Sequence, residues 1–124
     1  MGRSRSSARG KTAEDRTMNI EKISLKNGGG FVAKLHVIAA PATGGEGKTY
    51  PDNNDIPLGQ ERTVDLATLN VPDGSKVKLK AIVVWGNDNE AQQAFTYQKG
   101  CGKTAHYSIT GTTLSNDLGL VNVN

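Results

Sequence analysis

With 124 residues, 15 glycines and only 5% aromatic residues, the chain has the composition of one small domain built from short strands and many turns. No apolar run approaches the roughly 18 residues of a membrane-spanning helix, and residues 1–10 lack the apolar segment of a secretory signal. The single cysteine, Cys101, excludes an intramolecular disulfide. We therefore expect no transmembrane segment, and a protein that is cytoplasmic or exported by a non-classical route.

The net positive charge lies entirely at the start of the chain. Residues 1–17 carry five basic and two acidic side chains, whereas residues 18–124 carry ten of each. We expect residues 1–17 to be a disordered basic tail, since they are rich in Arg, Ser and Gly. The tail is a remnant of an expression tag, a solvated extension upstream of the true start, or an arm for nucleic acid or acidic lipid. The balanced charge of the remainder disfavours nucleic-acid binding by the folded body.

From Met18 onward, alternating apolar residues separated by Gly, Pro, Asn and Asp predict about seven short strands. They cover residues 23–25, 31–39, 61–66, 76–85, 91–98, 104–110 and 112–123. The last strand is predicted to face inward through Leu114, Leu118, Leu120 and Val121. This pattern predicts a single all-β domain over residues 18–124, an antiparallel β-sandwich of immunoglobulin-like outline.

The strand at residues 76–85 is predicted to be central, because three lysines alternate with five apolar residues. Its inward face holds Val77, Leu79, Ala81, Val83 and Trp85. The predicted core of the domain comprises Leu25, Phe31, Leu35, Val37, Val64, Leu66, Val77, Leu79, Val83, Phe95, Tyr97, Tyr107 and Ile109.

Residues 40–59 are predicted to form one long loop, because they contain three prolines and no clear period. Residues 42–49 also fit a relaxed phosphate-loop pattern. Such a loop must open a helix, and Pro51 and Pro57 disfavour a helix here.

Metal binding has one candidate set, which lies in acidic turns. Asp52, Asp55, Asp88 and Glu90 offer the oxygen ligands that calcium prefers. Asp is equally an ordinary turn residue, so the calcium site and the structural role both remain open, and no other cofactor is expected. His36, His106 and Cys101 are too few for a zinc site unless all three meet.

Trp85, the only tryptophan, precedes a polar turn formed by Asn87, Asp88 and Asn89. One interpretation places Trp85 in the core at the rim of the sheet. The other makes it a stacking platform for a sugar or another flat ligand. In that interpretation the turn supplies hydrogen bonds and Tyr50 of the long loop completes the site.

Four segments resemble short single-domain β-sandwich proteins of bacteria and fungi, a group mostly without assigned function. They are residues 63–66 (TVDL), 71–74 (VPDG), 83–86 (VVWG) and 109–114 (ITGTTL). The resemblance implies the sandwich fold and no site residue.

The function predicted from the sequence is therefore non-enzymatic. We expect a binding module that uses the loops at the Trp85 end to contact a glycan or a partner protein. Two alternatives remain open: a structural or surface protein of the antigen type that self-associates, and a calcium-dependent binding domain.

Overall fold

A computed structural model describes residues 18–124, which form two β-sheets around one apolar core. The predicted basic tail, residues 1–17, lies outside the described residues. No helix within residues 18–124 has the length and apolar character that crossing a lipid bilayer requires. The predicted all-β sandwich is therefore confirmed for the described part of the chain.

Ten strands are present in residues 18–124, compared with the seven or so that the sequence predicts. Their bounds are β1 (Asn19–Ile20), β2 (Lys22–Gly29), β3 (Ala33–Ala40), β4 (Lys48–Ile56), β5 (Glu61–Asp65), β6 (Lys76–Val83), β7 (Asn89–Glu90), β8 (Phe95–Tyr97), β9 (Thr104–Gly111) and β10 (Asn116–Val123). A short 3-10 helix, Leu66–Leu69, follows β5.

One sheet has four strands in the order β10-β9-β2-β5, and the other has the path β1-β8-β6-β3-β4, with β7 paired to β6. Most neighbouring strands are antiparallel, as predicted. Two pairs, β9 with β2 and β1 with β8, run parallel. The immunoglobulin-like outline is not confirmed and stays a prediction.

The central position of β6 is confirmed. It pairs with β3 on one side and with β8 and β7 on the other, and its inward residues are buried. All thirteen residues of the predicted core are buried as well. Trp85 is the exception on the predicted inward face, because the strand ends at Val83 and the chain turns before Trp85.

The predicted long loop at residues 40–59 is wrong, because nine of its residues form strand β4. β4 pairs with β3 at the edge of the larger sheet, where Pro51 lies opposite His36. An edge strand tolerates proline because one side of its backbone needs no partner. Residues 42–49 therefore lead into a strand and not into a helix, which removes the phosphate-loop interpretation.

The predicted inward face of the last strand is also wrong in part. Leu114 precedes β10 and is exposed, and Leu120 and Val121 are exposed within the strand. The exposure of Val121 follows from a register shift opposite His106 and Tyr107, which leaves Val121 without a partner residue on β9.

An ion pair joins the two sheets at their edges. Arg62 of β5 donates through both Nε and Nη2 to the carboxylate of Asp52 on β4, and Asn54 Nδ2 donates to Asp52 Oδ1 at 2.7 Å. Burial alone would raise the pKa of Asp52. The hydrogen bonds from Arg62 and Asn54, and the charge of Arg62, outweigh burial and hold that pKa below its ordinary value.

Replacing Leu79 with Ala should lower the free energy of unfolding by about 2–5 kcal/mol, because Leu79 is fully buried in the central strand. Urea denaturation measures the loss. The matched control is Lys78→Ala on the outer face of the same strand, where an exposed ion pair with Glu90 contributes at most about 1 kcal/mol. Equal losses in the two variants would contradict the strand register.

Asp52→Asn should lower stability by about 1–2 kcal/mol at neutral pH, because hydrogen bonds to a charged group are lost. The folded pKa of Asp52 lies below the unfolded one, so its carboxylate stabilises the fold above about pH 4. That contribution disappears as the pH falls through the lower folded pKa. The stability difference between the two proteins, measured by denaturation at a series of pH values, should therefore shrink below pH 4. A difference that stays constant down to acid unfolding would contradict the inter-sheet role.

Candidate functional site

Four loops meet at one end of the sandwich. β2 and β9 run parallel and finish there, at Gly29 and Gly111. β3 starts at the same end, where Ala33 lies between Val83 and Ile56 of the neighbouring strands. The loops at residues 30–32, 57–60, 84–87 and 112–115 therefore share this end, which we call the tip.

The tip carries three exposed large apolar side chains and no charged residue. Trp85 is 94% exposed, Leu114 is 71% exposed and Leu58 is 61% exposed. Each comes from a different loop, and the four loops contain no Asp, Glu, Lys or Arg. Large apolar side chains exposed on several loops at one end of a domain make that end the candidate interaction surface.

Trp85 is held outward by a tight turn. The N–H of Gly86 donates to the carbonyl of Val83 at 3.1 Å, and Trp85 has a φ of 65°. This left-handed conformation costs a non-glycine residue about 1–2 kcal/mol. Only two non-glycine residues in the described chain adopt it, Asn70 and Trp85. Backbone strain at an exposed aromatic residue points to a role outside stability.

Hydrogen bonds fasten the Trp85 loop to the Leu114 loop. Asn87 donates from its backbone N–H to the carbonyl of Thr113 at 2.8 Å and from Nδ2 to the carbonyl of Leu114 at 3.0 Å. In return, Asn116 Nδ2 donates to the carbonyl of Asn87 at 2.9 Å. A Cβ on Gly86 would lie 2.2 Å from the carbonyl oxygen of Thr113, so the close approach requires glycine there.

The other two loops are closed by Asn27, which is fully buried. Asn27 Nδ2 donates to the carbonyls of Phe31 at 2.6 Å and Ile56 at 2.8 Å, and Oδ1 accepts from the N–H of Gly29 at 2.9 Å. Its backbone carbonyl accepts from the N–H of Gly59 at 2.7 Å. One side chain therefore fixes both the loop at residues 30–32 and the start of the loop that carries Leu58.

The predicted ligand site stays a prediction, and the structure shows where each of its residues lies. Trp85 is exposed, so the core interpretation of this residue is wrong. Asn87 and Asn89 donate to the segment at residues 113–116, and Asp88 Oδ1 accepts from the N–H of Val83 at 2.9 Å. These three side chains close loops through those atoms, and Asn87 and Asp88 are exposed beside Trp85.

Tyr50 does not meet Trp85. It pairs with Val37 in the first half of β4 and lines a cleft of about 470 Å³ at the end opposite the tip, together with Pro72 and Ser75. Because the long loop is in fact an edge strand, Tyr50 is carried away from the Trp85 end.

The four predicted calcium ligands are not brought together. Asp52 binds Arg62, Asp55 pairs with Lys34 at 2.8 Å, Asp88 caps the backbone of Val83, and Glu90 pairs with Lys78 at 2.7 Å. No group of three or more His, Cys, Asp or Glu side chains with metal-binding geometry occurs in residues 18–124. The calcium site therefore stays a prediction, and the positions of these four side chains do not favour it.

The histidines also lie apart, His36 on the larger sheet and His106 on the smaller. The Nδ1 atom of His106 lies 2.7 Å from Ser24 Oγ, and its Nε2 atom lies 2.7 Å from Asn124 Oδ1. This set has the residue types of a hydrolytic site. However, Ser24 is completely buried, so its hydroxyl is closed to a substrate.

Sequence reasoning missed Leu58, Leu114 and Asn27. Leu58 stands between Pro57 and Gly59, and Leu114 lies between Thr113 and Ser115. A single large apolar residue inside a turn motif is the signal that could have found both, because turns need no apolar residue. Nothing in the sequence distinguishes Asn27 from the other turn asparagines.

No protein-family model matches the chain, and no curated protein matches it. Among solved structures, listeriolysin O has a TM-score of 0.48 at 16% identity, over 84% of this chain and 22% of that chain. A disulfide-locked intermedilysin mutant with human CD59 has a TM-score of 0.47 at 15% identity, over 84% and 24%. Suilysin from Streptococcus suis has a TM-score of 0.40 at 16% identity, over 82% and 23%.

This chain thus spans less than a quarter of each of these proteins. The resemblance to short bacterial and fungal sandwich proteins stays a prediction.

Trp85→Gly should leave the free energy of unfolding equal to that of the native chain or raise it by up to about 1 kcal/mol. Glycine adopts the left-handed conformation without strain, which stabilises the folded state. This gain is partly offset because glycine makes the unfolded chain more flexible. Removing the exposed indole ring costs no buried contact. Thermal and urea denaturation measure this. The control Gly86→Ala should destabilise, because its new methyl group meets Thr113. A loss of more than 1 kcal/mol in Trp85→Gly would show that the ring is packed.

Proposed function

We propose that the chain is a non-enzymatic binding module that docks through the tip, and that the tip inserts its apolar side chains into the surface of a lipid bilayer. The observation that carries the proposal is the projection of Trp85, Leu114 and Leu58 from three loops that hold no charge. The strained backbone at Trp85 supports it, because this strain keeps a large ring in water.

The chemistry of the tip favours a bilayer over the glycan that the sequence suggests. A sugar site needs polar groups fixed beside the aromatic ring. Here the side-chain amides of Asn87 and Asn89, and one carboxylate oxygen of Asp88, are used in bonds within the protein, which leaves fewer polar groups for a sugar. Tryptophan itself prefers the membrane–water interface, where its ring is half in the apolar layer and its N–H stays hydrated.

The shape of the tip favours a bilayer over a protein pocket. A side chain that is 94% exposed lines no cleft and projects outward. Trp85 and Leu114 lie on adjacent, mutually bonded loops, and Leu58 lies towards the β5 side of the same end. A fluid surface accommodates several separated projections at once, whereas a protein partner needs a matched pocket for each.

The energy available is sufficient for reversible docking. Full removal of one such side chain from water is worth about 1.5–3 kcal/mol, so Trp85 and Leu114 together supply several kcal/mol. The lack of charge at the tip means that this contribution does not depend on anionic lipid and is not screened by salt.

Trp85 is the only tryptophan, so its fluorescence reports docking directly. In the free protein its emission should be that of a water-exposed indole, fully quenched by acrylamide. Three kinds of vesicle separate uncharged from charged surfaces. Those of phosphatidylcholine, with or without cholesterol, are uncharged, and those of phosphatidylcholine with phosphatidylserine are negatively charged. We expect a blue shift and loss of quenching with uncharged vesicles, unchanged in 0.5 M salt, roughly where the Debye length falls below 5 Å.

Leu114→Ser should weaken vesicle binding about tenfold or more, because each 1.4 kcal/mol lost is tenfold in affinity. Flotation with vesicles measures this for all variants, including Trp85→Gly. The matched control is Val121→Ser, which alters an equally exposed apolar residue on β10 outside the tip and should bind as the native chain does. Binding only to the phosphatidylserine vesicles, abolished by salt, would assign the contact to basic residues and overturn the proposal.

A further inference from the structure

We propose that the edge strand β10 pairs with β10 of a second copy of this chain, so that two four-stranded sheets join into one across a two-fold axis. The proposal rests on the edge strands alone and does not require the tip to bind a bilayer.

The other sheet edges carry features that block strand addition. β5 has three charged side chains in five residues, Glu61, Arg62 and Asp65. β4 carries Pro51, Lys48 and Asp55. β1 is only two residues long. Charges, proline, short length and β-bulges are among the devices by which proteins keep strand edges from pairing.

β10 has less of this protection, because it is eight residues long, contains no proline and has one charged residue and one bulge. It pairs with β9 and with no other strand of the described chain, and its only charged residue is Asp117. Asn89 covers its first residue, Asn116, through hydrogen bonds at 2.9 and 3.3 Å. The four residues at 119–122 are exposed, including Leu120 and Val121. One bulge interrupts the strand, and it places an apolar side chain, Val121, in water.

The exposed segment is complementary to itself. In an antiparallel pair centred on Leu120, the two Leu120 side chains meet and Asp117 faces Val123 of the other copy, so no carboxylate opposes another. Gly119 of each copy faces Val121 of the other. Nothing lies within 4 Å of a Cβ placed on Gly119, so this position has room for the valine. Apolar cross-strand pairs without like charges are those that stabilise a sheet.

A contact of one strand pair is a small interface, and we therefore expect weak association. Sedimentation equilibrium of the full chain, without lipid, from about 10 µM to about 1 mM should show the mass rising towards twice that of the monomer. A monomer throughout this range would overturn the proposal.

Val121→Lys should hold the chain as a monomer, because a lysine at an edge opposes pairing. Leu58→Lys is the matched control, with a similar exposure and the same change of charge at the tip, and should associate like the native chain. The reverse pattern, with association lost only in Leu58→Lys, would place the contact at the tip and overturn the proposal. Circular dichroism and the thermal midpoint should match the native values in both variants, since both residues are exposed.

Cysteine cross-linking tests the register independently of these variants. Leu120→Cys in a Cys101→Ser background should form a disulfide dimer on mild oxidation, because the two Leu120 positions face each other across the axis. Leu58→Cys in the same background is the control and should cross-link far more slowly. Equal rates would show random collision and count against the two-fold pair.

Discussion

The tip depends on the buried amide of Asn27. Its Nδ2 group donates to Phe31 and Ile56, and its Oδ1 atom accepts from Gly29, so one side chain satisfies backbone groups of two loops that the strand ladders leave unpaired. A buried polar network of this kind stabilises a structure only when it is fully satisfied. Every polar atom of the Asn27 side chain has a partner. The loops at residues 30–32 and 57–60 are therefore held in place although they have no regular secondary structure. The other two loops are fixed by Asn87 and Asn116 in the same manner.

The sequence predicted the strands that are buried on one face and failed at the edges. Alternation located β6 and β9 because every second residue must avoid water there. β4 escaped detection because an edge strand is solvated along one side and accepts Pro51, Asn53 and Asn54 without penalty. The alternating apolar positions continue in the sequence up to Trp85, whereas the strand itself ends at Val83 and the backbone turns. The sign of φ at Trp85 leaves no trace in hydrophobic periodicity.

For the candidate site, the sequence singled out Trp85 but did not find Leu58 and Leu114, which the structure places at the same end. Trp85 was singled out as a tryptophan beside a turn, and it does lie at the surface where the loops converge. Asn87 and Asp88 were expected to receive a ligand, but Asn and Asp close turns with the same groups that bind ligands. Only the distances to Leu114 and Val83 show which role they have. Leu58 joins Trp85 and Leu114 through strand order, which a single sequence does not reveal.

The direction of β10 sets a geometric limit on how the two proposed contact surfaces, the tip and β10, can be used together. β10 starts at the tip and runs away from it, towards Val123. Antiparallel pairing about a two-fold axis would therefore leave the two tips at opposite poles of the dimer. Such a dimer cannot seat both tips on one flat membrane, but it can span the gap between two facing ones. If the tip docks on a bilayer and β10 pairs as proposed, the chain would be a peripheral protein as a monomer and a tether between membranes as a dimer, and its concentration would decide between the two.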